Sequence, residues 1–181
     1  PMRKPAAHFH LPGLFEFYEF YRAFLPLYRA HRAYFYDWCE IASIYGAPEG
    51  CIWGGGRVGS GTAGAQEVLA LMQDFGISAR LTFSNCLLRP EHLIDRPCNA
   101  LCRAFSDSAG PQNGVIVHSE LLLTYLKKHY PRLYFVSSTT KDLTRFSQLR
   151  QELERLFLCR AGFPSEPVVC AAAGAAADAQ G

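Results

Sequence analysis

The sequence predicts an α/β fold built from parallel β–α units in series. Three observations carry that prediction. Short apolar runs at Ile77–Asn85, Val115–Ser119 and Leu133–Thr140 each stop in small polar residues. The segments between them repeat their apolar residues at helical spacing. Gly76 and Pro131 punctuate the change from helix to strand. Strand, helix, strand in strict alternation implies a parallel sheet with right-handed crossovers. About four such units amount to half of a (β/α) TIM-type barrel, or to one small doubly wound sheet.

At 181 residues the chain is long enough for one domain with a sizeable core. Residues 1–13, with prolines, histidines and a basic pair, read as an irregular leader. The α/β domain is expected over 14–158, beginning with a segment crowded with aromatic residues. Phe17, Phe20, Tyr21, Phe24 and Tyr28 share one helical face, and Pro26 is expected to end or kink that helix near Leu25. The stripe reads as packing or docking surface.

Glu40–Tyr45 is the first predicted strand, followed by a glycine-rich loop and a helix over Ala65–Phe75 that Gly76 stops. Ile77–Phe83 is the second strand. A helical stretch over His92–Phe105 is interrupted early by Pro97. Val115–Val117 is the third strand, and Leu121–Tyr130 a short helix ended by Pro131. Leu133–Val136 is the fourth strand, and Leu143–Leu156 a helix with a charged outer face.

From Cys159 the rhythm stops in an alanine-rich run, so 159–181 reads as a disordered or frameshifted tail. Codons available for Cys159 to Glu166, read one base later, permit Val-Val-Pro-Asp-Phe-Arg-Leu-Asn, which is a buried strand start where a further strand is due.

Composition narrows the function. A net charge of +2 with scattered basic residues gives no nucleic-acid footprint. No apolar run approaches the roughly 18 residues of a membrane span, and no secretion signal is visible. Seven cysteines at irregular spacings fit reduced thiols, and a cytoplasmic protein is expected.

Gly54, Gly56 and Gly59 satisfy the G-x-G-x-x-G spacing of a dinucleotide fingerprint. The context argues against it: Pro48 intervenes after the strand, the helix starts only near Ala65, and Ser84-Asn85 stand where an acidic residue belongs. The segment reads instead as a loop over the mouth of the sheet, where Trp53 and Arg57 touch a ligand, or as a plain turn. Cys98 and Cys102 lie four apart on a helix, too few ligands for zinc, and read as buried thiols. Cys86 follows a strand but has no partner base in the sequence.

Ligands of α/β sheets and barrels bind at the carboxyl ends of the strands. Those ends supply Ser84 and Asn85, His118 and Ser119, then Ser137, Ser138, Thr139, Thr140 and Lys141. Neutral hydrogen-bonding groups with one histidine and one lysine suit a sugar, a peptide-like amide or a phosphate. They lack a glycosidase's paired carboxylates. His118 reads as a general base or, more simply, as a hydrogen-bonding group across the sheet end. Lys141 reads as a Schiff-base lysine if it points into a dry pocket, or as a solvated lysine at a helix start. The alternative for Ser137–Thr140 is to cap the helix near Leu143. The residues name no cofactor.

At these positions the chain resembles an uncharacterised bacterial family. The carriers are Ile-Tyr-Gly with Ile-Trp-Gly-Gly-Gly-Arg-Val, then Arg-Leu-Thr-Phe-Ser-Asn, Val-Ile-Val-His-Ser and Val-Ser-Ser-Thr-Thr-Lys. That family is TIM-barrel-like and loosely similar to the collagenase-like peptidases, and the resemblance runs from about Leu11 to Leu156. It implies longer relatives that continue into further barrel units and a C-terminal cysteine-rich cluster. This chain departs from them there, so no metal or iron–sulfur ligand carries over. Three expectations follow: a barrel enzyme or binder taking a small polar or peptide-like ligand, a non-catalytic binding or assembly module, or a truncated product that self-associates through an open sheet edge.

Overall fold

The computed structural model describes residues 7–55, 61 and 63–157. Arg57, Gly56, Gly59 and the 159–181 tail, with its frameshift reading, lie outside the described residues.

Among the described residues, five strands and five α-helices alternate: β1 (Ala7–Pro12), α1 (Tyr18–Ala30), β2 (Cys39–Gly46), α2 (Ala65–Phe75), β3 (Ser78–Phe83), α3 (Arg96–Asp107), β4 (Gly114–Val117), α4 (Glu120–His129), β5 (Tyr134–Ser137) and α5 (Phe146–Phe157). All strand pairs are parallel, in the order β1-β2-β3-β4-β5. A doubly wound sheet reverses its order at a switch point. This one does not, so the sheet curls as half a barrel. Right-handed crossovers then put the helices on one face and leave the concave face opposite.

The four predicted strands are β2 to β5, and the leader contains a fifth. Within it, β1 alternates His8 and His10 with Phe9 and Leu11, and pairs with β2 around a bulge between Phe9 and His10. Pro12 conceals the strand in the sequence, yet it stands at the end of an edge strand, where a missing N–H is tolerated. Pro26 does not end α1 either. It is exposed, so the Arg22 carbonyl freed by the missing N–H faces solvent and the helix continues for four more residues.

Local signals fix the remaining ends. Gly76 stops α2 with φ +66°, the left-handed conformation glycine adopts without strain. Pro97 starts α3 rather than interrupting it, in the first turn where no N–H partner is needed, and Asp95 caps that helix by accepting from the Cys98 N–H at 2.8 Å. Ser137–Thr140 does not cap α5; Thr139–Lys141 forms a separate 3-10 turn, and α5 starts at Phe146.

The core lies between helices and sheet. Ala79, Leu81 and Phe83 of β3 and Val115 and Val117 of β4 point into it and meet Val68, Met72, Phe105, Leu122 and Leu126 from α2, α3 and α4, all nearly fully buried. Each buried Leu or Phe contributes about 1.5–3 kcal/mol relative to exposure. No helix among the described residues is long and apolar enough to cross a membrane.

Candidate functional site

The ladder continues one residue past the strands. His118 donates its backbone N–H to the Phe83 carbonyl at 3.0 Å, and Ser138 donates to the Val117 carbonyl at 3.0 Å. With side chains alternating across the sheet, Ser84, His118 and Ser138 therefore share the concave face. The His118 ring shares a 2.7 Å hydrogen bond with the Thr140 hydroxyl, which bonds Ser138 at 2.7 Å, which in turn reaches Ser84 at 3.4 Å. Three hydroxyls and one imidazole form a chain over the ends of β3, β4 and β5. Such a chain can pass a proton along its length.

Of the strand-end residues the sequence offers, these are Ser84, His118, Ser138 and Thr140. The others have structural work. Asn85 donates to the Ile52 carbonyl and accepts from the Leu87 N–H, tying two loops together. Ser119 caps α4 by accepting from the Leu122 N–H. Thr139 is exposed beside the chain of hydroxyls rather than in it. Lys141 is no Schiff-base lysine in a dry apolar pocket: it pairs with Glu120 at 2.7 Å and Glu152 at 2.5 Å. Trp53 does not hang over the mouth. It is fully buried against Phe83 and Tyr125, and its indole N–H donates to the His92 carbonyl at 2.8 Å.

Below the mouth, β3 supplies polar groups to the concave face, with the apolar Ile116 of β4 and Val136 of β5 in register with Thr82. Strand β3 alternates Ala79, Leu81 and Phe83 toward the helices with Ser78, Arg80 and Thr82 on the other side. Arg80 stands opposite Tyr45 of β2 and Gly114 of β4, and Gly114 stands opposite Tyr134 of β5. A Cβ at Gly114 would lie 2.5 Å from the Tyr134 ring. Glycine there lets that ring cross β4, so that the Tyr134 hydroxyl accepts from Arg80 Nε at 2.5 Å and meets Ser78 Oγ at 2.7 Å. The Arg80 guanidinium also sits over the Tyr134 ring, 5.2 Å from its centroid.

Arg80 is only 5% exposed, and no carboxylate pairs with it among the described residues. Thr82, 6% exposed, has a buried hydroxyl without a hydrogen-bond partner. On the neighbouring strands His10 meets the buried Ser43 hydroxyl at 2.7 Å. Burial pushes the His10 imidazole down to about 4, and the positive charges of Arg80 and His8 push the same way. At neutral pH, then, Arg80 is the fixed charge of this face and His10 a neutral neighbour.

Sequence reasoning passed over Arg80, Thr82, His10 and Tyr134. The signal was the period-two alternation Ser-Ala-Arg-Leu-Thr-Phe-Ser, whose polar members all fall on one face. Cys98 and Cys102 are both buried free thiols, as their spacing suggested, and the Cys98 sulfur faces that of Cys51. Cys86 is exposed. Among the described residues no group of three or more His, Cys, Asp or Glu side chains could hold a metal ion. No protein-family model, curated protein or solved structure matches the chain.

Proposed function

We propose that the half-barrel binds a small polar ligand carrying an oxyanion, a phosphate or a carboxylate, over its concave face and strand ends. The observation that supports this reading is Arg80: a buried guanidinium without a carboxylate partner among the described residues, next to the unpartnered Thr82 hydroxyl. A buried charge is costly unless paired, and an oxyanion ligand would pair it and accept from Thr82 as well. A peptide's terminal carboxylate meets the same requirement, which keeps a peptide-like ligand within the proposal. Ser84, Ser138 and His118 would meet the ligand's neutral end.

Inorganic phosphate and acetate serve as probes. Thermal unfolding of the full chain is expected to shift upward, saturably, with at least one of them, and the shift is expected to vanish in Arg80→Met. Wild-type protein indifferent to both anions would end the proposal.

A second reading, as an assembly module, is favoured by the aromatic surface around α1. Phe17, Phe20, Leu27, Tyr34, Tyr36 and Trp38 are all exposed. Phe9 on the open edge strand β1 is exposed too, so a second copy of this chain is the partner this reading commits to. Concentration-dependent mass in sedimentation, abolished by Phe20→Ser with Tyr36→Ser, would support it; a monomer at all concentrations would exclude it.

A further inference from the structure

Away from the concave face, Cys51 in the loop after β2 and Cys98 in the first turn of α3 bring their sulfurs to 3.5 Å. They are 47 residues apart in sequence, and the fold alone joins them. Both line a cavity of about 350 Å³ whose walls also include Pro48, Ala65, Pro97 and Leu101. We infer that Cys51 and Cys98 form a reactive dithiol that reduces an apolar hydroperoxide entering this cavity and closes to a disulfide.

The two thiols are unequal in a way that assigns their roles. Cys51 is pulled down, first by the hydrogen bond it shares with Cys98 and then by the backbone N–H groups of Gly54 and Trp53, against the opposing effect of burial. Cys98 is pushed up, first by the same shared hydrogen bond and then by burial. The thiolate is the nucleophile of thiol chemistry. Cys51, carried on a loop and the more exposed of the two at 7% against 2%, is therefore the attacking sulfur and Cys98 the resolving one. Cys102, one turn along α3, is fully buried and pushed up by its burial, which removes it from competition.

The reaction balances without a metal or cofactor. Cys51 thiolate attacks the outer oxygen of the hydroperoxide; the O–O bond breaks, the alkoxide takes a proton and leaves as an alcohol, and Cys51 becomes a sulfenic acid. Cys98 sulfur then attacks the Cys51 sulfur, the S–O bond breaks, and water leaves with the Cys98 proton. Two thiols lose two electrons in total and one hydroperoxide gains them. Closing the bond requires the sulfurs to approach from 3.5 Å to about 2.0 Å, a displacement within reach of a loop residue facing the first turn of a helix.

The test treats the reduced full chain with one equivalent of cumene hydroperoxide, counts thiols and maps peptides. The expected result is a loss of two thiols, cumyl alcohol in equal amount, and a Cys51–Cys98 crosslink that dithiothreitol reverses. In Cys98→Ser a dimedone-trappable sulfenic acid is expected at Cys51, and in Cys51→Ser none at Cys98. The wild-type map decides even if either variant fails to fold. Cys51 and Cys98 both remaining free, or either one linked to another cysteine such as the exposed Cys86, would overturn the inference.

Discussion

Arg80 reaches across β4 to Tyr134, donating from Nε to the phenol oxygen at 2.5 Å over a glycine that leaves the path open. Gly114→Ala is expected to push the Tyr134 ring off this path, because the new methyl would sit 2.5 Å from it. Overpacking of this kind costs about 1–3 kcal/mol. A second change, Tyr134→Val, should restore part of that loss, so the two substitutions would be non-additive in chemical denaturation. Additive losses would mean that Gly114 does not serve the ring.

Arg80→Met keeps the length of the side chain and removes the charge. In ligand-free protein the stability is expected to stay within about 1 kcal/mol of wild type or to rise, since a buried charge without a partner is itself a cost. A large loss in urea unfolding would show that the guanidinium is a structural tie and not a reserved binding group.

Thr82→Val replaces the unpartnered hydroxyl with a methyl of the same shape. Leaving such a group buried costs about 1–3 kcal/mol, so the valine variant is expected to melt higher than wild type without ligand. A lower melting temperature would mean that the hydroxyl is satisfied in solution.

Much of this fold was legible in the sequence because its signals are local. Apolar runs ending in Asn85, Ser119 and Thr140 located β3, β4 and β5, and Gly76 marked the end of α2. β1 was hidden because the cue for an edge strand, His-Phe-His-Leu, is short and ends in proline. The site was half legible. Strand-end logic found Ser84, His118 and Ser138, whereas Lys141 and Trp53 were misplaced because their partners, Glu152 and the His92 carbonyl, are brought in by tertiary contacts. No spacing rule joins Cys51 to Cys98.

His10 makes the stability of the sheet edge depend on pH. Burial, with Arg80 and His8, lowers its imidazole from 6.5 to about 4. Between those values the unfolded chain binds more protons than the folded one, so stability is complete above about 6.5 and falls as pH drops toward 4. Carboxylates contribute over part of the same range, so the comparison is with His10→Gln. Its melting temperature is expected to fall less steeply than that of wild type between pH 6.5 and 4; parallel curves would contradict the burial of the ring.

Lys141 joins the 3-10 turn after β5 to α4 and α5 through Glu120 and Glu152, and Glu152 also accepts from Ser137. Lys141→Met would take the Lys141 ammonium away from Glu152, whose side chain is 11% exposed. A loss of about 3 kcal/mol is expected for breaking one partner of a buried pair. Unchanged stability in the same denaturation assay would mean that the pair is solvated.

The most direct test of the binding account is a titration of the isotopically labelled full chain with inorganic phosphate, followed by backbone amide shifts. The account predicts saturable shifts concentrated at Arg80, Thr82, Ser84 and Tyr134, and their loss in Arg80→Met. Shifts confined to exposed lysines and helix ends, with Arg80 and Thr82 unmoved, would contradict it.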